Sequence, residues 1–406
     1  MITKLFIHSQ RLKFTYLLLI AFFIHYNLSA QYQQWAWIGG DSIANLNGVY
    51  GTKGISSSSN KLGGRHSAAS WKDNLGNFWL YGGFGYDSAG GTTGILSDLW
   101  KYNPSSNEWT WVNGSNAVNE SPIYGTQGIA SPINKPGNKV FSVTCVDANG
   151  IFWLFGGGSG WGSSKNDLWK YDPSTNLWTW MKGDSTWSSV GVYGTKGVAN
   201  ISNTPGARVN SAFQADKSGN LWLFGGDGYD ASTSSSELND VWKYNTATNE
   251  WTWVNGDSLG NQLSKYGSKG VTASSNKPSS RWGMGNWMNN IADELWIFGG
   301  YGQDFTTSTG GLIDLWKYNT VTNEWTWMHG DTLINQSAIH GTKRVPSSIN
   351  KLGVRLLPVS WIDALGNLWT FGGIAIDNSI FGYSSELWKY NVSTNEWTWV
   401  SGDSLV

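Results

Sequence analysis

Apolar side chains in this chain come in short bursts rich in Trp, Tyr, Phe and Leu, separated by clusters of Gly, Asn, Asp, Ser and Pro. After residue 30 no stretch carries the three- and four-residue apolar spacing of an amphipathic helix, so the bursts predict short β-strands joined by turns. The bursts also recur. Trp-Lys-Tyr begins at Trp100, Trp169, Trp242, Trp316 and Trp388, at spacings of 69, 73, 74 and 72. Seven residues after each of those tyrosines comes Trp-Thr-Trp, beginning at Trp109, Trp178, Trp251, Trp325 and Trp397. Upstream lies an apolar segment ending in Gly-Gly, as in Leu221-Trp-Leu-Phe-Gly-Gly226. A basic residue (Arg65, Lys139, Arg208, Arg281 or Arg355) stands 17 or 18 positions before the first of those glycines. A fixed period of this length marks a repeat architecture.

Each unit predicts four strands. Strand a follows the basic residue (His66 to Trp71 in the first unit), strand b is Trp-Leu-Phe-Gly-Gly, strand c is Leu-Trp-Lys-Tyr and strand d is Trp-Thr-Trp. Asp216-Lys-Ser-Gly-Asn220 and Asp172-Pro-Ser-Thr-Asn176 are turn signals for the a–b and c–d links. Strands b and c are bulky on both faces. Radial packing of four-stranded sheets buries both faces. The units run over residues 65–111, 139–180, 208–253, 281–327 and 355–399 of a domain spanning 31–406.

The Gly-Gly doublet, the Asp-Leu-Trp-Lys-Tyr segment and the Asn-x-Trp that follows resemble the kelch repeat, and the propeller domain of galactose oxidase is similar. The resemblance implies an all-β protein, a β-propeller of kelch-like blades. The period here exceeds the usual kelch length of about 50 residues, because each unit carries an insert with Gly-Asp-Ser and Tyr-Gly-Thr-Lys-Gly motifs, such as Gly183-Asp-Ser185 and Tyr193-Gly-Thr-Lys-Gly197.

Loop lengths distinguish the two faces. The d–a and b–c connections share one face of a blade, and the a–b and c–d turns share the other. From the second Trp of each Trp-x-Trp to the next basic residue is always 28 positions, so the d–a insert predicts a structural element. From Gly-Gly to the acid before strand c the distances are 15, 10, 14, 14 and 13. Variation on a rigid scaffold marks recognition, which places a ligand site on the d–a/b–c face. Trp35-Ala-Trp37 stands in phase as a sixth strand d. Two readings follow: a ring of five blades with a surplus edge strand, which we prefer, or part of a six- or seven-bladed ring.

The first thirty residues predict a secretory signal peptide. Lys4, Arg11 and Lys13 precede an apolar run from Phe14 to Ile24, and Asn27-Leu-Ser-Ala30 offers small residues for cleavage. No other stretch is long and apolar enough to span a bilayer, so the expectation is a secreted or cell-surface protein that is not membrane-embedded. Removing residues 1–30 leaves 24 basic against 28 acidic side chains, a net of −4, with no Lys/Arg cluster for nucleic acid. Cys145 is the single cysteine, so no internal disulfide forms.

Most of the 28 tryptophans fall on the repeated strands and read as packing between blades. Trp161, in the shortest b–c loop, and Trp187, in an insert, stand off the pattern and are candidates for stacking on a sugar ring. Tyr86, Tyr229 and Tyr301, just after the Gly-Gly doublets, join them as ligand-binding candidates. Asp98, Asp167, Asp240 and Asp314, with Glu386, recur before strand c. A catalytic acid is normally unique, so their recurrence assigns them, with Arg65, Arg208, Arg281 and Arg355, to structure. Likeness to galactose oxidase implies a copper held by histidines and tyrosines, one linked to a cysteine. After cleavage only His66, His329 and His340 remain, and Cys145 sits at a strand-a core position, so neither cofactor nor metal is expected. The function these features predict is a monomeric, non-catalytic binding module for a carbohydrate or an extracellular protein. The alternative is a carbohydrate-active enzyme such as a sugar oxidase or lyase.

Overall fold

The structure, a computed structural model, describes residues 35–88, 92–159, 162–232, 234–377 and 380–404. The segment read as a signal peptide and Trp161 lie outside the described residues. The chain divides into Met1–Gly40 and Asp41–Val406. In the first unit, Trp35–Trp37 is not a strand, contrary to its phase in the repeat. A Trp-x-Trp motif becomes a strand only within a hydrogen-bonded ladder.

The second unit is a β-propeller fold, all-β and without helices among the described residues. Among the described residues no helix is long and apolar enough to cross a membrane. Its five blades are antiparallel sheets in the order a-b-c-d. Blade 1 comprises Ala69–Lys72, Phe78–Tyr81, Leu99–Asn103 and Glu108–Asn113. Blade 2 comprises Val143–Val146, Phe152–Phe155, Leu168–Asp172 and Leu177–Lys182. Blade 3 comprises Ala212–Ala215, Asn220–Tyr229, Ser235–Asn245 and Glu250–Asn255. Blade 4 comprises Gly285–Asn289, Glu294–Phe298, Leu315–Asn319 and Glu324–His329. Blade 5 comprises Val359–Ile362, Leu368–Phe371, Leu387–Asn391 and Glu396–Ser401.

Four apolar cores join blade 1 to 2, 2 to 3, 3 to 4 and 4 to 5. Each is built from aromatic and aliphatic side chains of all four strands. In the first, Trp71 stacks on Phe152 of the next blade at 5.3 Å and 10°, and its Nε1 donates to the carbonyl of Trp153. Among the described residues no such core joins blade 5 to blade 1.

The d–a insert folds back onto strand d of the unit that follows it. Ser56–Ser57 pairs with Trp109–Thr110, and single bridges repeat the contact at Ser131–Trp178, Asn200–Trp251, Ala273–Trp325 and Ser347–Trp397. An insert asparagine anchors each one. Asn203, for example, donates to the carbonyls of Val198 and Trp251 at 3.0 Å each. The lysine of Tyr-Gly-Thr-Lys lies over the second Trp of strand d: Lys196 sits 4.1 Å from the Trp253 ring and donates to the Gly256 carbonyl. The aspartates of Gly-Asp-Ser and its Gly-Asp-Thr variant also serve this element, Asp257 pairing with Lys277 and Asp331 with Lys351.

Strand a is shorter than His66–Trp71. Arg65–His66 forms its own short strand, and Ser67, at φ 57°, ends it before Ala69. That left-handed residue recurs at Phe141, Asn210, Gly283 and Leu357. Its amide donates to the carbonyl of its counterpart one blade earlier, at 3.2, 3.2, 2.9 and 2.7 Å along the row from Phe141 to Leu357. The blades are therefore stitched by a belt of main-chain hydrogen bonds as well as by aromatic cores. The Gly-Gly doublet makes room for the next blade: the Gly157 amide donates to the Arg208 carbonyl, and a Cβ on Gly156 would lie 2.5 Å from that oxygen.

Candidate functional site

The repeated charged residues form one buried network per blade. In blade 3, Arg208 donates from both terminal nitrogens to Asp240 at 2.6 and 2.7 Å and also to the Gly225 carbonyl. The same carboxylate accepts from Tyr193 of the insert and from Trp242 Nε1, each at 2.7 Å. The arrangement recurs around Asp98 (Arg65, Tyr50, Trp100), Asp167 (Lys139, Tyr124, Trp169) and Asp314 (Arg281, Tyr266, Trp316). In blade 5 His340 replaces the tyrosine and Glu386 the aspartate, with Arg355 completing the set. Burial and the adjacent carboxylate push the Tyr193 hydroxyl well above the usual phenol range, so it remains a donor. These acids spend their lone pairs on fixed donors, which leaves them no free geometry for proton transfer.

A second recurrent acid closes the a–b turn. Asp73, Asp147, Asp216 and Asp363 accept from backbone amides within the turn and from Nε1 of Trp79, Trp153, Trp222 and Trp369 at 2.8–2.9 Å. The indole N–H is thereby satisfied as its ring enters the core.

The ligand candidates separate. Tyr86 and Tyr301 are half-buried on the hairpin that continues strands b and c above the Gly-Gly doublet, and Tyr301 packs against Trp282 at 5.5 Å. Tyr229 lines an open cleft between blades 2 and 3 with Phe141, Ser163, Ser164, Val209, Asp227 and Ser235. Trp187 is 42% exposed. Its ring lies 4.4 Å from the ammonium of Lys165, and the amide of its neighbour Ser188 donates to Ser164, a cleft residue. Structure thus brings Tyr229 and the Trp187 segment to one junction.

Three groups at this junction are missing from the repeat pattern and from the sequence reading. Asp227 and Glu237 are directly opposed across strands b and c of blade 3. Burial raises both carboxyls above the usual range, and Asp227 raises Glu237 further. The residues after the Gly-Gly doublet in the other blades are Phe84, Gly158, Tyr301 and Ile374, so the acid is peculiar to blade 3. Lys165 is buried and donates to Tyr124 and to the Ser185 carbonyl. Its counterparts two positions before the repeated acid are Leu96, Leu238, Leu312 and Ser384. Comparing such columns for residues found in one unit only would have revealed all three.

Two opposed carboxylates repel when ionised. A group whose pKa is raised by folding contributes stability below its unfolded value and loses it as pH climbs through the folded one. Asp227→Asn should therefore raise the thermal midpoint relative to the parent at neutral pH, with the difference shrinking to nothing as pH falls toward about 4, the ordinary carboxylate range. Melts of both proteins across pH 3.5–7.5 measure it.

Among the described residues no group of three or more His, Cys, Asp or Glu is placed to hold a metal. Cys145 is buried in the core between blades 2 and 3, where burial pushes its thiol up. His329 is half-buried, and its imidazole is lowered to about 4 by desolvation with Lys269 adding.

No family profile matches the chain. Among curated proteins it is 27% identical over 176 residues to N-acetylneuraminate epimerase of Escherichia coli O139:H28, covering 36% of this chain and 44% of that protein. Matches of the same extent link it to N-acetylneuraminate epimerase 2 of Escherichia coli O6:H1 and to the K12 epimerase, each at 27% identity. The chain spans less than half the length of these relatives, and what it shares with them agrees with a kelch-like propeller.

Proposed function

We propose that this chain is an exported propeller that binds a carbohydrate at the junction of blades 2 and 3, on the d–a/b–c face. The observation that carries the reading is the concentration of off-pattern chemistry there: Tyr229 and Trp187 offer rings, and Asp227 and Glu237 are unique to that blade. Carboxylate oxygens accept hydrogen bonds from sugar hydroxyls. Apolar ring faces beside such groups suit the amphipathic faces of a pyranose. The curated relatives named as epimerases of a sugar, N-acetylneuraminate, support a carbohydrate ligand. A glycan array followed by calorimetry on the best hit tests it. Tyr229→Ala and Trp187→Ala should each weaken binding about three- to tenfold, the worth of one aromatic contact. Unchanged affinity in both, with unchanged melts, would remove the site.

One observation favours a second reading. A pair of carboxyls with elevated pKa is the equipment of acid–base chemistry, and the named relatives interconvert sugar epimers. Incubating the protein with the bound sugar and following the separate NMR signals of its two epimers separates the two. Exchange that is abolished by Glu237→Gln while binding persists would make the chain an enzyme.

A further inference from the structure

One face of the blade 3 hairpin brings an acidic pair and an aromatic ring together against the cleft. In the ladder above the Gly-Gly doublet, Val209 pairs with Asp227, Asp227 with Glu237, and Tyr229 with Ser235. Directly paired residues, and those two positions apart along a strand, share a face of the sheet. Val209, Asp227, Tyr229 and Ser235 all line the cleft, so Glu237 lies on that face too. The pairs at the place of Asp227 and Glu237 in the other blades are Phe84–Ile95, Gly158–Ser164, Tyr301–Gly311 and Ile374–Tyr383, with no acid among them. Every repeated acid before strand c is matched to an arginine or a lysine. Among the described residues neither Asp227 nor Glu237 enters an ion pair. The cations adjoining the lining residues in sequence are committed elsewhere, Arg208 to Asp240 and Lys165 to Tyr124 and the Ser185 carbonyl.

We infer that the cleft takes a sugar bearing a protonated amino group, its ammonium seated between Asp227 and Glu237 beside the Tyr229 ring. The inference rests on the carbohydrate reading above and adds the charge of the ligand. Ionised carboxylates offer acceptors only, and two of them directly opposed repel each other. The hydroxyls of a neutral sugar fill those acceptors but leave the repulsion in place, and the carboxylate of an acidic sugar adds to it. An ammonium removes it, because each carboxylate gains an opposite charge at close range. Partial burial sharpens the difference: it holds both carboxyls above their usual range, so the pair gains from a ligand that favours its charged form. The face of a phenol ring likewise attracts a cation.

Calorimetry at about pH 6, between the ordinary carboxylate and α-amino ranges, tests this. The probes are an oligomer of glucosamine, its N-acetylated counterpart of the same length, and N-acetylneuraminate, an acidic sugar. The amine form should bind about tenfold or more tightly than the acetylated form, in the range of close charge pairs at interfaces, and N-acetylneuraminate should bind more weakly than both. Asp227→Asn combined with Glu237→Gln should bring the ratio of the first two close to one. Asp41→Asn, at an exposed acid outside the cleft, should leave that ratio unchanged, which excludes a general attraction of cations to the chain. Melts confirm that each variant folds. Equal affinity for the amine and acetylated forms, each weakened by Tyr229→Ala, would overturn the inference and leave the carbohydrate reading standing. A preference for the amine that survives the double variant would overturn it as well. No binding of the three probes alongside a hit on the glycan array would overturn the inference alone, whereas no hit at all would remove both.

Discussion

Asp240→Ala is expected to destabilise the chain by about 3–5 kcal/mol, the cost of leaving a buried charge without its partner. Arg208 and Asp240 are both fully buried, and the carboxylate satisfies Arg208, Tyr193 and Trp242 together. Deleting it strands three donors. They belong to different parts of the unit: strand c, the short segment before strand a, and the insert. Removal therefore loosens the blade and its insert at once. The matched control is Asp41→Ala. Asp41 pairs with Lys61 at 2.9 Å, but both are exposed, and surface pairs contribute about 0–1 kcal/mol. Urea unfolding followed by tryptophan fluorescence compares the two. Equal effects would show that the repeated network is ornamental. A broadened transition for Asp240→Ala would show blade 3 opening ahead of its neighbours, as expected of a repeat array.

The second large effect belongs to Gly225→Val. Gly225 sits at φ 63°, and a Cβ there would lie 2.8 Å from the Arg281 carbonyl of the next blade and 3.0 Å from that of Leu238. A β-branched residue pays backbone strain of about 1–3 kcal/mol for that φ alone. Neither carbonyl is free to retreat: the Arg281 segment is held by its own ion pair with Asp314, and Leu238 lies in the b–c ladder. We expect a loss of about 3–4 kcal/mol in total, or failure to fold at 37 °C. Gly54→Val is the comparison. It too has a positive φ, 81°, but nothing lies within 4 Å of its added Cβ. The difference between the two melts isolates the cost of blade approach from that of backbone strain.

Features that recur were legible before the structure. Trp-Lys-Tyr and Trp-Thr-Trp announce strands c and d because five copies leave no other period to fit, and the Arg–Asp pairing lies in residues that share the same repeat. The structure adds what the repeat does not spell out. The insert attaches through a two-residue ladder and an asparagine side chain, contacts too short to leave an alternating apolar pattern. The break at Ser67 depends on a left-handed conformation taken by Ser, Phe, Asn, Gly and Leu in turn, so residue identity does not announce it. Asp227 and Glu237 were hidden for the opposite reason. A reading tuned to recurrence and to aromatic side chains passes over a carboxylate that occurs once, although uniqueness is what distinguishes a site from a scaffold. Tyr229, a ligand candidate offered by the sequence, lines the cleft, and its part in binding is a proposal.

The central claim is that the scaffold repeats and the recognition chemistry does not. Hydrogen–deuterium exchange of the chain with and without its sugar ligand tests that claim most directly. Slowed exchange confined to residues 158–165, 186–189 and 227–237, with the equivalent b–c segments of blades 1, 4 and 5 unchanged, is the predicted result. Protection distributed equally over all five blades, or centred on a blade other than 2 and 3, would contradict it.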